Sequence, residues 1–162
     1  MTKLLKPLLP LLAALMLTAC DATKSDESFA IHTVLHAADG SLATTLPDGY
    51  ILGKDVKQMT DHNGTSIFVM LPATIGPDCL QSMSAEESNH SGPIVNFSFT
   101  PECAKTFARM TSKNINKRIA AVMNGELVST PLIYVPITGG SGFLEGPFES
   151  LEDAEAFARQ FN

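Results

Sequence analysis

The chain has 162 residues, 11 basic and 17 acidic side chains, and a formal net charge of −6. The acidic excess argues against a partner made of nucleic acid and against attraction to an anionic lipid surface. The length fits one domain that buries a core of its own without depending on cross-links.

The first residues predict a lipoprotein signal peptide over residues 1–19. Lys3 and Lys6 precede an apolar run at residues 8–17, which is shorter than the roughly 20 residues of a bilayer span. The sequence Leu-Thr-Ala-Cys that ends at Cys20 resembles the lipobox of bacterial lipoproteins, whose cysteine is acylated. The alternative is an ordinary signal peptide in which Cys20 has no role. By the same resemblance, Asp21 favours retention at the inner membrane, on its periplasmic side.

Residues 20–28 are interpreted as the lipidated cysteine and a short polar tether, because they lack apolar periodicity. The predicted domain covers residues 29–162 and begins with a strand at residues 29–36, in which apolar side chains alternate along one face. On a strand, His32 and His36 would lie about 13 Å apart, too far to share a metal ion. We therefore interpret these histidines as surface residues and expect no metal site.

The middle of the chain is rich in turn signals, such as Asp39-Gly40 and Pro47-Asp48-Gly49. Residues 67–71 predict a short buried strand that ends at Pro72. Residues 75–83 are interpreted as irregular structure or one helical turn, and residues 86–92 as a polar loop.

Cys79 and Cys103 remain once Cys20 is assigned to the lipid. Two cysteines in an exported protein favour one disulfide, here closing a loop of about 25 residues. The alternatives are a reactive thiol of Cys103 at a helix N-terminus, or two inert thiols.

The carboxyl-terminal half contains two capped helices. Thr100 is a candidate N-cap followed by Pro101, and its helix has apolar side chains at three- and four-residue spacing. Ser150 is the candidate N-cap of the second helix, with Asp153 three residues later. The buried stripe predicted for the second helix consists of Leu151, Ala154, Phe157, Ala158 and Phe161.

Between the helices, Ile119–Met123 is apolar on both faces and predicts a central strand. Asn124-Gly125 predicts a two-residue hairpin that leads to a strand with Leu127, Val128 and residues 133–135. We expect this strand to lie at the edge of the sheet, because Pro131 cannot donate a ladder hydrogen bond. The glycines at 139, 140 and 142 predict a bend before a short strand at Phe143 and Leu144. This order predicts an α+β fold: an antiparallel sheet with helices packed on one face, as in a split βαβ, ferredoxin-like domain.

No arrangement typical of an enzyme or of a cofactor site is present in the sequence. The candidate polypeptide-binding groups are of two kinds. Lys113, Lys117 and Arg118 end the first helix, where the alternative role is to complement the helix dipole. Leu127, Val128 and Tyr134 belong to the predicted edge, which could accept an extended peptide by strand addition.

Five segments in order resemble the first periplasmic domain of SecD, a membrane subunit of bacterial protein export. They are Gly92–Phe99, with the pattern G-P-x-V-x-F-x-F, and residues 104–118, 119–131, 137–142 and 146–158. The sequence differs from the family pattern at Asn116, where the family has glycine, and at Asn124, where it has aspartate. It also has no counterpart of the family's bundle of membrane helices.

The resemblance implies a membrane-anchored, non-catalytic head domain that binds exported polypeptide or a partner such as a Sec translocon subunit. The alternative is a structural or regulatory lipoprotein that shares the fold without an export role, since fold alone does not determine function.

Overall fold

A computed structural model describes residues 28–61 and 63–162 of the chain. The predicted signal peptide, Cys20 and most of the tether lie outside these residues. Two single-turn 3-10 helices accompany the regular elements, at Pro77–Cys79 and Arg159–Phe161. In chain order the strands and helices are β1 Phe29–Thr33, β2 Val56–Thr60, β3 Ser66–Met70, β4 Leu80–Ser88, β5 Gly92–Phe99, α1 Pro101–Lys113, β6 Ile119–Met123, β7 Glu126–Ser129, β8 Ser141–Glu145 and α2 Leu151–Ala158.

Five strands form an open barrel. The sheet β1-β6-β7 and the hairpin β2-β3 are separate antiparallel sheets. They are joined just beyond the end of β1, where Val34 bridges to Val69 and the Leu35 N–H donates to the Phe68 carbonyl at 2.8 Å. The strands therefore follow one another in the order β2-β3-β1-β6-β7, which leaves β2 and β7 as the two outer strands.

The barrel encloses a small aliphatic core to which all five strands contribute. Because side chains alternate along a strand, the contributing residues all lie on the inner face of the curved sheet. This inner core consists of Ala30, Val34, Met59, Ile67, Val69, Ala120, Val122 and Leu127. A sheet that curves around such small side chains brings its two outer strands towards each other.

The opposite face of β1 and β6 packs into a second core, which is aromatic. It is shared with the sheet β4-β5-β8 and with both helices. Its rings are in direct contact: the centroids of Phe97 and Phe99 lie 4.9 Å apart, and those of Phe29 and Phe97 lie 5.7 Å apart. Strand β6 is thus buried on both faces, as its sequence predicts.

The predicted helix starts are confirmed. The Thr100 side chain accepts from the Cys103 N–H at 3.4 Å, and the Ser150 side chain accepts from the Asp153 N–H at 3.2 Å. These bonds satisfy backbone donors that a helix cannot pair internally.

The two departures from the family pattern fit the backbone. Asn116 has φ 59° and Asn124 has φ 50°, in the left-handed region that asparagine tolerates better than most residues. Asparagine therefore substitutes for the family's glycine at 116 without changing the local conformation that position requires.

The α+β class, the antiparallel strands and the two helices are confirmed, but the arrangement of the strands differs from the prediction. The strands divide into three sheets, and β5 and β6 lie in different ones, so no split βαβ unit forms within one sheet. Residues 133–135 are not a strand. Strands β2 and β4 were not predicted; β4 replaces part of the expected irregular segment and polar loop.

Strand β1 was predicted to have one apolar face, yet both of its faces are buried because a core lies on each side. The interpretation of His32 as a surface residue is consequently wrong: it is buried, and its Nδ1 lies 2.9 Å from the Met70 carbonyl. His36 is half-buried and also hydrogen-bonded.

Candidate functional site

A cleft of about 860 Å³ lies where the barrel is open. One wall is residues 57–61, in and just after β2, and the other is residues 125–129 around β7. Residues 145–147, at the end of β8 and beyond it, close one side. A volume of this size is within the range of about 300–1,000 Å³ that is common for ligand sites.

The wall formed by β7 is a strand edge. Met123 and Glu126 pair across the two-residue turn, and Leu127 is opposite Val122. In an antiparallel ladder the backbone groups of successive residues point alternately towards and away from the partner strand. The N–H and C=O of Leu127 therefore point into the cleft, while its side chain is buried in the barrel.

A second cavity of about 330 Å³ continues the cleft along the chain that follows β7. The two cavities share Asp61, Val128 and Ser129, and the second extends to Pro131. Together they form one continuous trough beside residues 125–131. We call this feature the trough, and its two ends the hairpin end, near Gly125, and the Pro131 end.

Arg118 holds the Pro131 end of the trough together. Its guanidinium donates to the Thr130 carbonyl, 2.6 Å away, so it ties the chain after β7 to the start of β6. Its backbone N–H donates to Nε2 of His36 at 3.1 Å, so Arg118 also binds the segment that follows β1. Three consecutive strands of the barrel are thus linked at this end through Arg118.

The environment of His36 disfavours its charged form. Burial lowers the pKa of the imidazole, and the positive side chains of Lys117 and Arg118 lower it further. A hydrogen bond with the Val34 carbonyl raises the pKa of His36, but less than the other effects lower it.

The structure brings three of the predicted binding residues together and separates the others. Arg118, Leu127 and Val128 line the trough. Lys113 is exposed at the last position of α1 and lines neither cavity.

Lys117 lies beyond the end of α1, not in its last turn as predicted, and neither Lys117 nor Tyr134 lines the trough. The Ile133 N–H donates to the Lys117 carbonyl, which places the 73% exposed Tyr134 beside this turn rather than on the edge strand. The predicted edge therefore ends at Ser129.

The opposite wall of the trough was not found from the sequence. Lys57 and Gln58 come from β2, Asp61 follows its last residue, and Glu145 comes from the end of β8. In β2 the buried positions are Val56 and Met59, a spacing that matches neither strand alternation nor a long helix stripe. The turn residues Asn63-Gly64, which lie between β2 and β3, are the signal in the sequence that could have indicated this hairpin.

Cys79 and Cys103 lie at disulfide distance, with sulfur atoms 2.06 Å and Cα atoms 5.4 Å apart. The pair connects the 3-10 turn before β4 to the first turn of α1, and both residues pack against the aromatic core. Neither cysteine lines the trough.

Acidic side chains line part of the trough. Its carboxylates come from Asp61, Glu126 and Glu145, and Asp61 already accepts from the N–H groups of Asn63 and Thr65. Across residues 28–61 and 63–162, no three histidine, cysteine or acidic side chains are grouped so that they could hold a metal ion. What the trough presents is a free strand edge with polar walls.

These features define an α+β domain with an elongated trough at the opening of a small barrel. The profile of the SecDF P1 head subdomain matches residues 54–162. The chain belongs to this family.

Sequence comparison finds translocase subunits that contain this domain. SecD of Rickettsia bellii is 36% identical over 92 residues, which are 57% of this chain and 18% of that protein. SecDF of Thermus thermophilus is also 36% identical over 92 residues, covering 54% of this chain and 12% of that protein. The chain therefore spans less than a fifth of the length of these relatives.

Solved structures agree with the assignment. A structure of SecDF in a "super-membrane-facing form" superposes with a TM-score of 0.56 and 28% identity, over 80% of this chain and 18% of the other. A SecDF structure described as a "membrane component" that "enhances protein export" gives a TM-score of 0.51 and 33% identity, over 60% and 42% of the two chains. In the described residues, no helix has the length and apolar character needed to cross a membrane.

Proposed function

We propose that this chain acts in protein export as a non-catalytic SecD-type head domain, and that it binds exported polypeptide or a partner of the Sec machinery through the trough. Membership of the SecDF P1 head family supports the link to export. The observation that carries the binding role is the trough along the free edge of β7.

The trough suits an extended chain because its long axis follows a strand. A peptide beside β7 would pair with backbone groups that no neighbouring strand uses, which is recognition by strand addition. Backbone pairing depends little on the peptide's side chains, so it fits a domain that meets many different unfolded sequences.

The width of the trough limits it to pairing with one wall. Cα atoms of β2 and β7 approach within 8 Å of each other. A strand paired with both walls would need two spacings of about 4.8 Å, or about 9.6 Å in total. We infer that a peptide would pair with β7 alone, because the trough runs beside residues 125–131 throughout, and that β2 is displaced where the two strands approach this closely.

We further propose that the domain is held at the periplasmic side of the membrane through lipid on Cys20, with Asp21 favouring the inner membrane. The lipobox-like sequence supports this, and residues 22–28 would serve as the tether. Several acyl chains on one residue make a stable anchor, whereas one chain binds only marginally. The processed protein would retain a strong acidic excess, which leaves the lipid as the main attachment.

The experiment is site-specific photocrosslinking of the full chain in cells, with probes at Glu126 and Ser129 in the trough and a control probe at Glu152 on α2. All three are at least partly accessible, and only Glu152 is outside both trough cavities. We expect many exported proteins, or translocon subunits, to crosslink from the trough positions and not from Glu152. Equal patterns at all three positions, or no crosslinks, would remove the trough as the binding site.

A second candidate function is a structural or regulatory lipoprotein with the same fold. The small share of each SecD relative that the match covers supports it, since a shared domain does not carry over the activity of a longer protein. A single defined crosslinked partner outside secretion would favour this candidate over the export role.

A further inference from the structure

The Pro131 end of the trough depends on the protonation state of one histidine. Nδ1 of His36 lies 3.0 Å from the Val34 carbonyl, and a carbonyl only accepts, so Nδ1 carries the hydrogen. Nε2 lies 3.1 Å from the Arg118 N–H, which only donates, so Nε2 has its lone pair free. Both partners together select one neutral tautomer, with the proton on Nδ1.

A second proton on His36 would have to bind at Nε2. That proton would occupy the lone pair to which the Arg118 N–H donates, and two donors would then face each other. The imidazolium would also lie near the positive charges of Lys117 and Arg118, which lower the pKa of His36 in addition to the effect of its burial.

The nearby carboxylates are already engaged elsewhere. Asp39, in the turn after His36, accepts from both the N–H and the hydroxyl of Ser41. Asp61, across the second cavity from Arg118, accepts from two backbone N–H groups of its own loop. The charged groups that the structure places against His36 are therefore the two cations.

We propose that protonation of His36 releases Arg118 and loosens the Pro131 end of the trough, so that acid weakens polypeptide binding there. The link between the strands is short: His36 bonds the Arg118 backbone, and the Arg118 side chain bonds the Thr130 carbonyl. The effect on binding rests on the proposed function, whereas the release of Arg118 does not.

The release can be measured without any ligand, by NMR of the isotopically labelled full chain. We expect the backbone amide of Arg118 to shift as the pH falls from about 7.5 to about 5, with a midpoint below the ordinary histidine value of about 6.5. Its hydrogen-exchange protection, corrected for the intrinsic pH dependence, should fall about tenfold with loss of the bond. The Thr130 and Leu132 amides should change with the same midpoint.

The test variant is His36→Gln, whose side-chain carbonyl can accept from Arg118 but takes no proton in this range. In it, the amide of Arg118 should no longer respond to pH. The control is His90→Gln, in an exposed turn, which should retain the wild-type response. Thermal unfolding at about pH 7.5 verifies that both variants are folded.

An Arg118 amide that does not respond to pH in the wild type, or responds equally in His36→Gln, would overturn the proposal. Affinity for an unfolded exported protein, measured by fluorescence anisotropy at both pH values, completes the test. No binding at pH 7.5 would contradict the proposed function alone and leave the NMR result standing. Binding that is as tight in acid as at neutral pH, with Arg118 released, would overturn the regulatory role of His36.

Discussion

The two cores on either side of β1 and β6 differ in composition and in closure. The helix side is filled by phenylalanines from two strands and both helices, and carries the Cys79–Cys103 pair. The barrel side is filled by alanine, valine, isoleucine and a few longer aliphatic side chains, and it opens at the trough. The same two strands thus take part in a closed, aromatic core and in an open, aliphatic one.

The comparison shows that the core with the most apolar burial lies on the helix side, whereas the trough proposed for binding lies on the barrel side. Aromatic rings bury large areas and gain further from ring contacts, so the helix side supplies most of the hydrophobic stabilisation. Small inner side chains let the barrel curve tightly, but β2 and β7 do not pair with each other. The open barrel lacks the backbone hydrogen bonds that would join β2 to β7 if the barrel were closed. Burial in the aromatic core can offset this loss of stability.

The largest expected effect is from removing a ring of the aromatic core. Phe29→Ala should lower the free energy of unfolding by about 3–5 kcal/mol, because Phe29 is fully buried and contacts three other rings. Val122→Ala on the barrel side should cost only about 1–2 kcal/mol, from two methyl-sized groups. Urea unfolding of both variants measures the difference, and equal losses would contradict the contrast between the cores.

The next effect is from the cysteine pair. Replacing both Cys79 and Cys103 by serine should lower the free energy of unfolding by about 3.5 kcal/mol, the chain-entropy value for a loop of this length. Wild-type protein treated with reductant should lose a similar amount. Thiol labelling of the denatured, non-reduced protein supplies the control: two reactive cysteines at these positions would show that no disulfide forms.

A smaller effect is expected at the glycine bend. Gly140 has φ +65°, and a Cβ there would lie 2.5 Å from Cβ of Ala104 in α1. Gly140→Ala should therefore destabilise the domain by about 1–3 kcal/mol, through backbone strain and displacement of the helix. The matched control is the adjacent Gly139→Ala, whose new Cβ would meet nothing closer than 3.9 Å. Similar losses in both variants would show that the close approach to α1 is unimportant.

The smallest effect is the pH dependence of stability due to His36. Because its pKa is lowered in the folded state, the unfolded chain binds more protons as the pH falls below about 6.5. The contribution of His36 to the free energy of unfolding is thus fully present above that value, and it is lost as the pH falls towards the folded-state pKa. Thermal unfolding of wild type and His36→Gln at several pH values should show a shallower decline in the variant. Parallel curves would contradict this contribution.

Local chemistry made much of the carboxyl-terminal half predictable. The caps at Thr100 and Ser150 and the turn at Asn124-Gly125 need only residues close in sequence, so they appear as expected. Strand β6 was recognisable because burial on both faces leaves an uninterrupted apolar segment. Arg118, Leu127 and Val128, which the sequence suggested as polypeptide-binding residues, line the trough, and their binding role stays a prediction.

The opposite wall of the trough could not be found in this way. Strand β2 is polar at three of its five positions, because only its inner face meets the barrel core and its edge meets solvent. Strand β4 is mostly exposed, with Met83 as its one fully buried side chain, so its composition is that of a loop. Such strands are specified by their partners in space, which a local pattern does not show.

Residue order alone is enough to establish the α+β class, the starts of the two helices and the tight turns. These depend on hydrogen bonds and backbone angles within a few positions of one another. Three outcomes depend on the tertiary structure: the division into three sheets, the opening between β2 and β7, and the contact of His36 with Arg118, 82 positions away. Each joins segments that are distant in sequence, and the chain brings such segments together only when its two cores are filled.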